Sequence, residues 1–198
     1  MRNANVTAVS FSSDELKINT NEAALRLKIP RGYESEEIKR CNLALKSVLC
    51  CKYAYVRVPV EFKEAGICNL GFGDIESRDL CTALCGCQEA YILGATIGIK
   101  ADMLIKRLEI ASPAEAFITD ALASAAAESL CELADDTLRG VGKKPIRFSP
   151  GYGDLPLSVQ PAVLAVLNAD YTLGIALSPS FLMTPMKSVT AIMGILPN

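Results

Sequence analysis

The sequence predicts a mixed α+β domain, because segments with the two-residue period of a strand alternate along the chain with segments of the helical 3.6-residue period. Hydrophobic residues make up 51% of the 198 residues and charged residues 21%, so the chain can bury a substantial core. A chain of this length forms one large domain or two small domains that pack closely together.

Strand and helix signals alternate in the first half of the chain. Leu25, Leu27 and Ile29 alternate with charged residues, which is typical of a half-buried strand. Pro59 lies inside a second alternating segment and favours an edge position for it. The predicted elements are a strand at 22–29, a helix at 35–49, a strand at 53–62, a short strand or loop at 66–73, and a helix at 76–85.

The second half contains the clearest helix signal. Ser112-Pro113-Ala114-Glu115 is a capping-box pattern with proline at the first helical position, and the helix is expected to run to Leu138 and stop at Gly140. Residues 91–97 are apolar on both faces, which fits an interior strand or a buried helical turn. The other predicted elements are a helix at 101–108, a turn at 140–145, a strand at 146–148, a helix at 159–167, and closing strands at 171–177 and 188–196.

The segment Arg147-Phe148-Ser149-Pro150-Gly151-Tyr152 concentrates the groups that bind small ligands. Gly151 allows close approach of a ligand to the backbone, and Pro150 restricts the chain around it. Arg147 offers a planar fork of donors for a carboxylate or phosphate, and Tyr152 adds a flat ring with a hydroxyl. The residues alone fit either a binding loop or a simple turn that leaves Arg147 in solvent.

This segment resembles the Arg-x-x-Pro-Gly-Tyr signature of the activation domain of cobalamin-dependent methionine synthase. Two later blocks extend the likeness, from Leu173 to Ser180 and then Met183-x-Pro185-x-x-Ser188-Val189. The resemblance implies a mainly antiparallel twisted sheet with flanking helices. It covers residues 81–198 as an S-adenosylmethionine-binding portion, and leaves residues 1–80 as an N-terminal α+β portion without a recognisable match.

The resemblance implies a function in methyl transfer. It is reductive reactivation, in trans, of a cobalamin-dependent methionine synthase or related corrinoid protein. The chain would present S-adenosylmethionine as methyl donor to reduced cobalt, with cobalamin held by the partner and electrons supplied by a low-potential donor. Arg147 would bind the methionine carboxylate, Ser149, Pro150 and Gly151 would contact the ligand, and Tyr152 would lie between ligand and corrin. Whether the chain is itself an enzyme or an accessory component stays open.

Histidine is absent from the sequence, which removes histidine-based catalysis and histidine metal sites. It also removes the histidine with which methionine synthases ligate cobalt, so any corrinoid must be held by another protein. A net charge of −2 argues against nucleic-acid and anionic-membrane partners. The N-terminal residues lack the apolar run needed for export, so a cytoplasmic protein with free thiols is expected.

Asp120, Ser124 and Glu128 are spaced four residues apart and share one face of the predicted long helix. The resemblance places acidic residues near the ligand at comparable positions, so Asp120 and Glu128 are candidate ligand-binding residues. A solvated polar stripe is the alternative interpretation.

Two other hypotheses stand beside reactivation, the first resting on the same resemblance and the second on the cysteines. The chain could be a non-catalytic regulator that binds S-adenosylmethionine or a corrinoid protein. It could also be an iron–sulfur redox protein that uses Cys81, Cys85 and Cys87, although their spacing matches no standard cluster pattern and no resident metal is predicted. Gly71-Phe72-Gly73 lacks the rest of a phosphate-binding motif and indicates a turn.

Overall fold

A computed structural model describes residues 5–64, 66–138 and 146–196. Its centre is a five-stranded sheet in the order β1-β2-β6-β10-β7, and every neighbouring pair in it is antiparallel. The strands are β1 (Thr7–Phe11), β2 (Cys51–Pro59), β3 (Glu61–Glu64), β4 (Ile67–Asn69), β5 (Asp74–Glu76), β6 (Glu89–Thr96), β7 (Arg147–Phe148), β8 (Ala176–Leu177), β9 (Met183–Thr184) and β10 (Ser188–Ile195).

Helices cover both faces of this sheet, so the mixed α+β prediction is confirmed. They are α1 (Thr20–Leu27), α2 (Glu36–Lys46), α3 (Arg78–Ala83), α4 (Ile99–Ala111), α5 (Pro113–Leu138), α6 (Gln160–Val166) and α7 (Ala169–Thr172), with a 3₁₀ turn at Leu157–Val159. One apolar core joins α1, α2, α4 and α5 to the sheet. The other joins the opposite face to α3, α6, α7 and the small sheet β3-β4-β5. None of the described helices is long and apolar enough to cross a membrane.

The long helix α5 organises the first core. Its middle consists of small residues, and Ala121, Ala123, Ala125 and Ala126 are all buried. Side chains of this size let the helix axis approach the sheet and its three neighbouring helices closely. The predicted helix at 113–138 is therefore confirmed, while its predicted stop at Gly140 and the predicted turn at 140–145 lie outside the described residues.

Three predictions about secondary structure were wrong. Residues 22–27 of the first segment lie in the helix α1, which Asn19 caps through its side chain. The adjacent Ala23 and Ala24 are both buried, which strand alternation does not allow. The predicted strand at 171–177 is instead the helix α7 followed by the short strand β8, since Gly174 turns the chain with φ +69°. The segment with Pro59 was predicted to be an edge strand, but β2 is an interior strand, and Pro59 lies at its end, beyond the residues that pair with β1.

The proposed boundary between residues 80 and 81 lies inside α3. Strands β1 and β2 come from before it, and β6, β7 and β10 come from after it, yet all five share one sheet. Residues 1–80 therefore contribute to the same sheet as the remainder of the chain.

The close packing of α5 gives a stability prediction. Ala123→Leu adds three carbons where the wild-type side chain is fully buried, so we expect a loss of about 1–3 kcal/mol in the free energy of unfolding. Denaturant titration of the purified variant measures this loss. Ala114→Leu makes the same change at an exposed position of the same helix and should stay within about 0.5 kcal/mol of wild type. Equal effects at both positions would contradict close packing of α5.

Candidate functional site

A cleft of about 1150 Å³ opens where β7 ends and the chain turns away from the sheet. Two segments form its walls: the motif loop, residues 149–156, and the hairpin segment, residues 176–187, which contains β8 and β9. The cleft is lined by Glu128, Asp135, Ile146, Arg147, Phe148, Ser149, Pro150, Tyr152, Leu157, Gln160, Ser178, Ser180, Phe181, Leu182, Met183, Thr184, Met186, Ser188, Val189 and Thr190. The sequence motif and the later matched blocks therefore meet at one cavity.

Arg147 is the positive charge at one end of this cleft. Its Nε lies 3.0 Å from Oδ2 of Asp135, and one terminal nitrogen lies 3.4 Å from Oε2 of Glu128. Burial opposes the charge of Arg147, but Cys131, Asp135 and Glu128 raise its pKa above the usual value. One guanidinium between two carboxylates gives this end of the cleft both signs of charge, which suits a zwitterionic ligand.

Asp135 is a further candidate site residue, which the sequence analysis did not include. It is 1% exposed and lies seven residues after Glu128, which is two helical turns along the same face of α5. That spacing was the available signal, because Glu128 and Asp135 continue the stripe that begins at Asp120. Beside this pair, burial raises the pKa of the Cys131 thiol to about 12, so Cys131 stays protonated at neutral pH.

The motif loop is tied to the start of α3. Asp154 accepts a hydrogen bond from the Ser77 hydroxyl and others from the backbone N–H of Arg78, at 2.8 Å, and of Asp79, at 3.2 Å. In return the backbone N–H of Asp154 donates to Asp79 Oδ2 at 3.2 Å. A negative charge at a helix N-terminus is favourable, so this contact fixes the loop and caps the helix together.

Glycine is required at position 153 for this contact. Its φ is +53°, and a Cβ there would lie 2.2 Å from Asp79 Oδ2. Inside the loop, the backbone N–H of Gly151 donates to the Leu155 carbonyl at 2.9 Å, and that of Tyr152 donates to the Ser149 carbonyl at 3.1 Å. The loop is therefore held by its own backbone, and it leaves the ring of Tyr152 69% exposed at the cleft.

The hairpin segment is fastened to helices at its far end. Lys187 Nζ lies 2.8 Å from Asp120 Oδ1 and donates to the Ser124 hydroxyl at 2.9 Å. The backbone N–H of Met186 donates to Oδ2 of the buried Asp102 at 2.6 Å. At the turn of the hairpin, Phe181 has φ +62°, a left-handed conformation that is uncommon for a residue with a Cβ, and its side chain lines the cleft.

The structure places most of the predicted site residues in the cleft lining, but not all of them. Arg147, Ser149, Pro150, Tyr152 and Glu128 line the cleft, where the structure brings them together. Gly151 and Asp120 are not among the described lining residues. Asp120 binds Lys187, and Gly151 supports the loop from within.

The thiols at 81–87 form no site that the structure reveals. Cys85 is exposed and Cys87 is buried. Cys81 lies beside Cys68, and burial together with the Cys81 thiol raises the pKa of Cys68 to about 12. Among the described residues, no group of three or more cysteine, histidine or acidic side chains is placed to hold a metal ion.

Comparison with solved structures identifies the architecture. The crystal structure of the MetH reactivation domain bound to AdoHcy superposes with a TM-score of 0.76, over 100% of this chain and 80% of that chain, at 15% sequence identity. The chain therefore has the fold of that reactivation domain, as the motif resemblance implied. No protein-family model and no curated protein matches the sequence.

The contact between the motif loop and α3 gives a pH prediction. The Ser77 hydroxyl and the backbone N–H donors of α3 hold the pKa of Asp154 below its usual value. A depressed pKa stabilises the folded state above the unfolded-state pKa, about 3.9, and this contribution disappears as the pH falls through the folded-state pKa. We therefore expect Asp154→Asn to lower the free energy of unfolding at pH 7, and the gap from wild type to shrink below about pH 4.

Denaturant titrations of both proteins from pH 7 to pH 3 measure this gap. Asp170→Asn, at an exposed aspartate of α7, is the control and should show no comparable gap. A gap for Asp154→Asn that is absent, or that grows on acidification, would contradict the role assigned to Asp154.

Proposed function

We propose that the protein binds S-adenosylmethionine in the cleft and presents its methyl group to the reduced cobalt of a corrinoid protein, as a reactivating component that acts in trans. The observation that carries this proposal is Arg147, which lies at the base of the motif loop between Asp135 and Glu128 and lines the cleft. The shared fold with a reactivation domain bound to AdoHcy supports it.

The charges of the cleft suit this ligand. The methionine end of S-adenosylmethionine carries a carboxylate, an ammonium and a sulfonium. Donors of Arg147 that the two acidic residues leave unused would bind the carboxylate, since a guanidinium has five N–H groups. Glu128, with its side chain 41% exposed, would attract the ammonium or the sulfonium. A cleft of about 1150 Å³ is large enough for a ligand of this size.

The reaction would join a reduction to a methyl transfer. A low-potential donor supplies one electron to inactive cob(II)alamin on the partner, and the reduced cobalt takes the methyl group of S-adenosylmethionine. The products are methylcobalamin and S-adenosylhomocysteine. The contribution of this chain is to hold the sulfonium methyl in line with the cobalt, which needs orientation and exclusion of water more than acid–base chemistry. This requirement is compatible with a chain that has no histidine.

An apolar rim around the cleft supports docking on a partner. Ile146, Tyr152, Leu182 and Met186 line the cleft and are each between 64% and 69% exposed. Large apolar side chains grouped around a cavity favour a protein contact. Transfer to cobalt requires a contact that alternates with the partner's other catalytic states, so a transient interface of modest affinity is expected.

The charge of Arg147 in the cleft gives a binding prediction. Arg147→Ala removes a partly buried charge-assisted contact, so we expect S-adenosylmethionine binding to weaken by about 2–4 kcal/mol. Arg147→Lys should recover only part of this loss, because an ammonium does not present a planar fork. Isothermal titration measures both variants, with thermal unfolding as a check that each is folded.

The matched control is Arg57→Ala, which removes a surface arginine that pairs with Glu89 on the neighbouring strand. It should bind S-adenosylmethionine as the wild type does. Wild-type affinity in a folded Arg147→Ala variant would show that this arginine does not contact the ligand. Absence of binding by the wild type, both alone and with a corrinoid protein, would overturn the proposed function.

A second prediction concerns methyl transfer. We expect the protein to accelerate methylcobalamin formation in a mixture of cob(II)alamin-loaded methionine synthase, a low-potential reductant and S-adenosylmethionine. Visible absorbance follows the product. Tyr152→Ala should lose most of this acceleration, because the exposed ring stands at the cleft where ligand and corrin would meet. Tyr171→Ala, at an exposed tyrosine of α7 outside the cleft lining, should retain it.

Equal rates with and without the protein would reject reactivation of that partner. If S-adenosylmethionine still bound under those conditions, the alternative would be a regulator that senses the ligand without transferring its methyl group.

A further inference from the structure

The floor of the cleft carries a neutral polar pair that lies apart from the charged groups around Arg147. Gln160 begins α6 and is 2% exposed, and Thr190 lies on β10 and is 3% exposed. Both line the cleft. A buried amide in a ligand cavity needs an explanation, because burial of polar groups is costly unless their hydrogen bonds are made.

The partners of the Gln160 amide account for most of its hydrogen-bonding groups. Its Nε2 donates to Thr190 Oγ1 at 2.8 Å and to Met183 Sδ at 3.2 Å, which uses both amide hydrogens. Its Oε1 accepts a hydrogen bond from the Thr190 hydroxyl at 3.0 Å. A carboxamide oxygen has two lone pairs, so one acceptor position on Oε1 has no partner among the described residues.

The strand beside this pair is open toward the cleft. β7 pairs with β10 only at Ile192 and Met193, and no described strand continues that side along residues 188–191. Ser188, Val189 and Thr190 line the cleft along this edge. An open strand edge presents backbone donors and acceptors in a row, and a flat, polar-edged ligand can pair with it.

The two parts of the cleft suit the two parts of the proposed ligand. A charged amino-acid group needs a counter-charge when buried, and the residues at Arg147 supply one. A nucleobase is neutral and flat, and its polar edge needs hydrogen bonds but no counter-charge. The neutral floor at Gln160 therefore fits the base, and the charged end fits the methionine.

We propose that Gln160 is a specificity-determining residue that selects adenine, by accepting a hydrogen bond from the 6-amino group at Oε1. Thr190 and Met183 fix the orientation of the amide. This inference rests on the proposed function. Hypoxanthine has a carbonyl oxygen where adenine has its amino group, so it would bring two acceptors together and leave both unsatisfied.

Binding of S-adenosylhomocysteine and S-inosylhomocysteine tests the proposal, because these two ligands differ only in the base. Isothermal titration of the wild type should show a preference for the adenine compound of at least about tenfold. Gln160→Met keeps the length of the side chain and removes the acceptor, so the preference should fall to about threefold or less. Gln88→Met, at the only other glutamine in the chain and exposed outside the cleft, should keep the wild-type ratio.

A second variant covers the case in which Gln160→Met fails to fold. Thr190→Val is nearly isosteric and suits a strand, and it removes the hydroxyl that orients the amide, so the base preference should fall while S-adenosylhomocysteine still binds. Equal binding of both ligands by the wild type, or an unchanged ratio in folded Gln160→Met or Thr190→Val, would overturn the role of Gln160 and leave the proposed function standing. Failure of S-adenosylhomocysteine and S-adenosylmethionine to bind at all would instead reject the proposed function.

Discussion

The position of α5 against the sheet is the constraint on which the candidate site depends. Both walls of the cleft are attached to this one helix by ion pairs. Glu128 and Asp135 hold Arg147 on β7, just before the motif loop, and Asp120 holds Lys187 at the end of the hairpin segment. Asp120 and Asp135 are fifteen residues apart on a continuous helix, a span of about 22 Å. Because the alanine-rich middle of α5 packs closely on the sheet, the position of the helix sets the distance between Arg147 in one wall and Lys187 in the other.

The cleft itself exists because β7 is short. Two residues of β7 pair with β10, and Pro150 then directs the chain away from the sheet, so part of the β10 edge opens into a cavity. Backbone hydrogen bonds within the loop hold its own turns. The contact of Asp154 with the start of α3 fastens the motif loop from the face of the sheet opposite α5. Glycine at position 153 leaves room for the Asp79 side chain in this contact. The wall that contains the motif loop is therefore held from both faces of the sheet, by α5 through Arg147 and by α3 through Asp154.

Sequence patterns were sufficient where a single physical signal dominated. The capping box at Ser112 predicted the start of α5. Uninterrupted apolar residues predicted that 91–97 is an interior segment, strand or helical turn, and it forms most of the interior strand β6. They failed where two signals overlapped. The alternation of Leu25, Leu27 and Ile29 suggested a strand, but the cap at Asn19 and the paired alanines made that segment helical. The residues of the motif left open whether Arg147 lies in solvent, and the structure places it in the lining of the cleft. Helical spacing could have indicated Asp135, but no local pattern could reveal that Lys187 meets Asp120, because that contact joins segments far apart in sequence.

Gln160 illustrates why part of the site could not be found from sequence. Within the predicted helix it is one polar residue among apolar neighbours, a pattern as compatible with a solvent-exposed position as with a buried one. Its burial depends on β10, which begins 28 residues later, and its orientation depends on Thr190 and Met183. The same tertiary contacts divide the cleft into a charged end and a neutral floor. The proposed ligand has one charged and one neutral end, so this division of the cleft favours one direction of binding over the reverse.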